Sequence, residues 1–250
     1  EKQIDIVKNR SYPADLLREV LFHKAKENNC YIDACNTLKK ASLIKERLHN
    51  ELSPYLNEDK VVNFIYRFKN KELKSIKTHQ KGEVRLLSSP TPLGFHTHYD
   101  SIFSHCEKTI NIVDETGFTG SIILGVIKNF AVRERIPVIA SPSYYNNEFF
   151  QFLIFPTVKT GLCISDKSHI LPFEPTETVT ASRFFTNSDI LNSKNVKILL
   201  SIEEKFLEKA IVSIYNGRDE RYKYNDLTKG YSEPDEAKEC AKKITEKIFN

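Results

Sequence analysis

A chain of 250 residues has room for one sizeable domain, or for one domain with a smaller neighbour. With 40% hydrophobic and 28% charged residues it has the composition of an ordinary globular protein. Its net charge of +4, from 37 basic and 33 acidic residues, gives no case for nucleic acid on its own. Apolar runs such as SIILGVI fall short of the roughly 20 residues a membrane helix needs, and the first residues do not resemble a signal peptide, so a cytoplasmic location is expected.

The five cysteines (Cys30, Cys35, Cys106, Cys163 and Cys240) form no CxxC and are odd in number, which predicts free thiols in a reducing compartment. The sequence opens at Glu1 and holds no methionine, the pattern expected of a piece of a longer protein.

Residues 15–52 carry a helical pattern. Leu16, Leu17, Val20 and Leu21 recur at helix spacing, as do Ile32, Leu38, Ala41, Ile44 and Leu48. Ser53-Pro54 breaks the pattern, and a short helix is predicted over residues 59–68. The polar, basic run KNKELKSIKTHQKG then reads as a solvated connector, so residues 1–82 form a helical segment with a basic linker.

From residue 83 to 250 the pattern predicts an α/β domain. VRLLSS, TINIVD, PVIAS, FQFLIF, GLCIS and VKILLS are short, β-branched-rich apolar runs that read as buried strands. A helix over residues 120–135 separates two of them, with Ile122, Ile123, Val126, Ile127 and Phe130 as its apolar face. The alternation predicts a mainly parallel sheet flanked by helices, with residues 137–140 returning beside residues 109–113 or one place beyond. Helices are expected again in the last fifty residues, and residues 219–249 carry a weak internal echo of residues 45–68.

Two stretches carry candidate chemistry. In TINIVDETGFTGSIILGVIKNF an apolar strand meets a glycine-containing turn and then a helix, the order of a phosphate-binding loop. Aligned on Ser121, the loop places Asp114 and Thr119 where GxxxxGK[ST] has glycines, and Gly120 where it has lysine. Gly117, Thr119, Gly120 and Ser121 are the candidate phosphate contacts, and no cation lies inside the loop. In FHTHYDS, His96, His98 and Asp100 alternate, so a strand would put all three on one face as a zinc-type cluster, with His105 and His169 as further ligands. That arrangement predicts, as the alternative function, a metal-dependent hydrolase.

The loop lies between two further stretches, VRLLSSPTPLGFHTHYDSI and VIASPSYYNNEFFQFLIFPTVKTGLCISDKSH. In this order and spacing the three resemble an uncharacterised bacterial family of P-loop ATPase-like proteins built as two tandem halves. The residues that carry the likeness are Arg85, Ser88, Thr91, Pro92 and Gly94 in the first stretch, then residues 138–141 and 146–150, Phe155-Pro156, Asp166 and His169. The resemblance covers residues 84–169. It implies a P-loop NTPase-like fold, ATP with Mg²⁺ as ligand, Asp166 where a Walker B acid stands, and a C-terminal half partnered by an upstream P-loop half or by another copy of the chain. The loop GFTGSI departs from the family's pattern. The expectation is therefore a degenerate site with weak or no ATP binding, phosphate or sulfate at most on residues 117–121, and a structural or regulatory role. No membrane or specific nucleic-acid partner is indicated.

Overall fold

The computed structural model describes residues 13–73, 82–100, 104, 106–144, 146, 148–167 and 170–229. The chain divides into two compact units, Glu1–Asp33 with Ser213–Asn250, and Ala34–Val212. The ranges of two long helices, α1 (Ala14–Leu52) and α4 (Lys194–Thr228), are divided between them.

In the first unit, α1 contributes the buried Val20 and Glu27. Glu27 accepts hydrogen bonds from Arg221 Nε (2.6 Å) and Tyr224 Oη (2.8 Å), and His23 pairs with Glu220 at 2.6 Å. Gly217 lets α4 pass close to α1, since a Cβ there would lie 3.2 Å from the Tyr31 ring and 3.3 Å from the Cys30 Cβ.

The second unit contains the sheet. After a turn at Ser53–Tyr55, the helix α2 (Glu58–Phe68) starts where the Asn57 side chain accepts from the Lys60 amide at 3.0 Å. Its buried face is Val61, Phe64, Ile65 and Phe68. Among the described residues eight strands follow: β1 (Glu83–Val84), β2 (Ser88–Thr91), β3 (Gly94–Thr97), β4 (Lys108–Val113), β5 (Ile139–Pro142), β6 (Phe150–Phe155), β7 (Thr160–Ser165) and β8 (Glu177–Thr180). The helix α3 (Phe118–Arg133) joins β4 to β5. Six strands form one sheet in the order β1-β5-β6-β7-β4-β8, and β2 and β3 form a separate hairpin. The pairs β1–β5, β7–β4 and β4–β8 are parallel, whereas β6 is antiparallel to both its neighbours. The α/β class and the mainly parallel sheet are as expected from sequence.

Four details differ from the sequence reading. VKILLS is not a strand but part of α4; its buried Val196 and Leu199 face a cluster with Leu48, Leu52, Phe118 and Phe185, a helical spacing within a six-residue window. VRLLSS is not a buried strand: Val84 and Leu86 are exposed, and the segment is split between edge strand β1 and hairpin strand β2. On α3 the buried face is turned toward Phe118, Ile123, Leu124, Ile127 and Ala131, leaving Val126 exposed. Finally, β5 does not lie beside β4 or one place beyond it, because β6 and β7 both stand between. The antiparallel β6 turns back between β5 and β7, and the chain then enters β7 along β4.

Of the expected connector, Lys69–Leu73 is a helical turn that buries Leu73, and residues 74–81 lie outside the described residues, as does the expected helix beyond residue 230 with its internal echo. Among the described residues no helix is long and apolar enough to cross a membrane.

Candidate functional site

Strand β4 lies between β7 and β8, with Thr109, Ile110, Asn111 and Ile112 all buried. At its C-terminal end the Asp114 amide donates to the Ser165 carbonyl at 2.9 Å, so the loop leaves the sheet fastened to the end of β7.

The loop then closes on the carboxylate of Asp114. Oδ1 accepts from the Thr116 amide (3.0 Å), the Thr116 hydroxyl (2.6 Å) and the Gly117 amide (3.0 Å), and Oδ2 accepts from the Gly120 amide at 2.9 Å. These donors, at the N-terminus of a helix, form an anion cradle. Its anion is the chain's own side chain, 2% exposed.

The candidate phosphate contacts have structural tasks here. Gly117 takes the left-handed conformation, φ 65°, that turns the chain into α3. At Gly120 a Cβ would lie 2.6 Å from Ile164 Cδ1 and 2.7 Å from Cγ1 of β7, so any larger residue would force the Ile164 side chain to shift. Ser121 Oγ donates to the Gly117 carbonyl at 2.5 Å. Thr119 is fully buried, and its Oγ1 has no hydrogen-bond partner.

The cation missing from the loop is supplied by a different part of the chain. Lys45, on the part of α1 that belongs to the sheet unit, brings its side chain against Gly117: a Cβ there would lie 3.3 Å from Lys45 Cε and 3.4 Å from Nζ. Nζ also pairs with Glu203 of α4, 3.1 Å from Oε1 and 3.3 Å from Oε2. Burial opposes the ammonium's charge most strongly, but Glu203 and Asp166 outweigh it and hold its pKa above the usual lysine value. Lys45 is therefore a fixed positive charge at the mouth of the loop. One turn along α1, His49 is held near Phe118 and Phe149, with ring centroids 5.1 and 4.6 Å away, and its Nε2 is buried without a partner. Burial, then the Lys45 charge, lower its pKa to about 4, so the imidazole is neutral.

Beside this loop is a cavity of about 230 Å³. It draws Lys45 from α1, Glu115 from the loop, Asp166 and Lys167 from the end of β7, Tyr144 from the β5–β6 connection, and Lys197, Glu203 and Glu204 from α4. The cavity thus opens at the C-terminal ends of the parallel strands β4 and β7, the edge where open α/β sheets take their ligands. Asp166 is at this cavity, together with Glu115 from the loop.

The histidine cluster is arranged differently. His96 lies on β3 and His98 just past its end, their rings edge to face with centroids 4.6 Å apart, and both are exposed. Asp100 has already turned into a helical segment. Among the described residues no three His, Cys, Asp or Glu side chains are grouped to hold a metal ion; His105 and His169 lie outside them. Nor do the lysines flanking the loop reach it. Lys108 pairs with Glu72, and Lys128 lies over the Phe150 ring, 5.2 Å from its centroid.

Of the charged and aromatic residues at the cavity, the sequence reading singled out Asp166 alone; Lys45, Glu115, Tyr144, Lys167, Lys197, Glu203 and Glu204 were missed. A signal for two of them exists. Lys45 falls between Ala41 and Leu48 on the buried stripe of α1, and Glu203 falls four residues from both Leu199 and Leu207 on that of α4. A charge at a core-facing helix position requires a partner, and here each supplies the other's. The P-loop resemblance has no support from relatives: comparison with family models, with curated proteins and with solved structures finds no match.

Proposed function

We propose that this chain is a binding domain for a phosphorylated ribose compound, derived from a nucleotide-type strand–loop–helix whose phosphate cradle has been closed by its own aspartate. The observation that carries the reading is the placing of Lys45 against Gly117, on the wall of a cavity that also holds Glu115 and Asp166. A phosphorylated sugar presents a dianion and a diol. Ammonium groups suit the first: Lys167 and Lys197 are exposed at the same cavity, while Lys45, already paired with Glu203, forms part of its wall. Carboxylates suit the second, since an ionised Glu or Asp accepts hydrogen bonds from adjacent ribose hydroxyls.

The closed cradle argues against ATP turnover by this loop. Three amides that would face phosphate oxygens already donate to Asp114, and a phosphate entering there would meet a buried negative charge. On this reading the chain is a sensor or regulatory half, acting with an upstream P-loop half or another copy of itself.

Calorimetric titration with ribose 5-phosphate, ribose and inorganic phosphate tests the proposal. Ribose 5-phosphate is expected to bind, and the double variant Lys167→Ala/Lys197→Ala to weaken it by about tenfold, as the loss of charge-assisted hydrogen bonds implies. No binding of ribose 5-phosphate would end the reading. So would robust ATP hydrolysis abolished by Ser121→Ala, which would restore the loop as a working phosphate site.

A further inference from the structure

The sheet unit holds a second cavity, of about 220 Å³. One wall comes from β4 and β8, where Ile110 and Glu177 are partners in register. The facing wall is α2 with the helical turn that follows it. Phe64, Arg67, Phe68 and Lys71 are spaced i, i+3, i+4 and i+7, so one helical face supplies both aromatic and basic groups. Arg183 closes the cavity from the turn Ala181–Phe184. That turn is fastened to the start of α2, since the Asn57 amide donates to the Phe184 carbonyl at 2.7 Å.

The floor is apolar. Phe64, Phe68 and Ile110 belong to the main core cluster; Phe64 meets Phe184 edge to face with centroids 5.5 Å apart, and Phe68 lies 5.8 Å from Phe155. The basic residues are exposed, which is the arrangement in which a long stem lines a wall and the charged head stands at the wet mouth. Arg67 Nε donates to the Asn63 carbonyl at 3.3 Å, and the Arg183 guanidinium lies 5.5 Å from the centroid of the Phe184 ring. Among the described residues no carboxylate pairs with Arg67, Lys71 or Arg183. Two acids line the cavity, and Glu72 is already taken by Lys108. Three cations are therefore set against the carboxylate of Glu177 alone.

We propose that this cavity is a second binding site, for a small aromatic carboxylate whose ring lies on the phenylalanine floor and whose anionic group meets the basic mouth. The two halves of the cavity ask for different things. An apolar floor gains from covering by an apolar body and offers a sugar no hydrogen bonds, so a polyhydroxylated ligand would lose its water without replacement. Guanidinium groups present paired N–H donors that match a carboxylate, and an excess of positive charge at the mouth draws anions to it. The volume of about 220 Å³ lies below the ~300–1,000 Å³ of sites for drug-sized molecules, which suits one ring and a short acid arm. Among the described residues the two cavities share no lining residue, so this inference stands or falls separately from the ribose-phosphate reading.

The test titrates the full chain with phenylacetate, its neutral isostere phenylacetamide, and acetate, followed by ligand-observed NMR at constant ionic strength. Phenylacetate is expected to bind about tenfold more tightly than either of the others, because the amide lacks the charge and acetate lacks the ring. Arg67→Gln/Arg183→Gln should weaken phenylacetate about tenfold and leave the amide's weaker binding as it was. Both arginines are exposed, so the variant should keep its thermal transition. Lys167→Ala/Lys197→Ala, which alters only the other cavity, should leave phenylacetate affinity unchanged. Failure of phenylacetate to bind would overturn the inference, as would equal affinity for the acid and the amide, or for the acid and acetate. So would phenylacetate binding that survives loss of the two arginines, or that is lost with the two lysines.

Discussion

In the first unit the buried side chains of α1 are Val20 and Glu27, and its long-range contacts run through Glu27, Arg221, Tyr224, His23 and Glu220. In the sheet unit the fully buried residues include Ile112, Ile123, Leu124, Ile127, Leu153, Phe155 and Leu162, packed into one continuous cluster. Among the described residues, one region is held by charge-assisted hydrogen bonds, the other by apolar burial. The first kind of contact is directional and screened by salt, whereas the second is neither. The candidate site belongs to the sheet unit but departs from its chemistry: Asp114, Lys45 and Glu203 are polar groups set into that apolar surround.

The sharpest way to break the contrast is Ile127→Asp, which puts an unpaired carboxylate into the apolar cluster. It should cost more than about 4 kcal/mol, read as loss of a cooperative thermal transition. A cost under about 1 kcal/mol would mean that α3 does not pack as described.

Next in size is Asp114→Ala. The amides of Thr116, Gly117 and Gly120 would lose their acceptor, and denaturant unfolding should show a loss of about 3 kcal/mol. Adding inorganic phosphate to this variant should recover part of the loss by filling the vacated cradle. An unchanged midpoint would show that the carboxylate is not what holds the loop.

A similar amount is expected from His49, here as a function of pH. Its folded pKa of about 4 lies below the ordinary 6.5, so the unfolded chain takes up a proton that the folded chain refuses. The neutral imidazole therefore adds nothing unfavourable above pH 6.5. As pH falls from 6.5 to about 4, stability drops by about 3 kcal/mol. In His49→Phe this part of the acid dependence should vanish; identical acid profiles for the two proteins would contradict a buried neutral histidine.

The smallest effects belong to the charge-held unit. Glu27→Ala leaves Arg221 and Tyr224 without their acceptor and should cost about 2 kcal/mol by hydrogen exchange of the amides in residues 213–228. Raising salt to about 1 M, where the screening length is about 3 Å, should loosen those same amides by less than about 1 kcal/mol and leave β4 and β7 unchanged. Equal salt sensitivity in both units would erase the comparison.

The helices α1 and α2 and the strands β4 to β7 were legible because apolar spacing and break residues agree there. Val61, Phe64, Ile65 and Phe68 follow one helical face, and Ser53-Pro54 marks the stop. The place of β5 was not legible, because a local pattern of strand, helix and strand carries no information about β6 inserting between them. VKILLS was ambiguous for another reason, since a six-residue apolar run fits either period. In the loop, sequence identified the strand–turn–helix but not the use of Asp114. Nothing in DETGFTGS distinguishes a carboxylate facing solvent from one folded back onto four donors. Lys45 lies 72 positions before Gly117, and only the packing of α1 brings the two together.

The inward carboxylate of Asp114 also governs how the protein would respond to its surroundings. A phosphate loop that depends on a bound anion for its shape is steadied by mass action, so the amount of folded protein follows the ligand's concentration. Here the loop carries its anion with it, at fixed stoichiometry and without exchange. Its shape does not depend on supply.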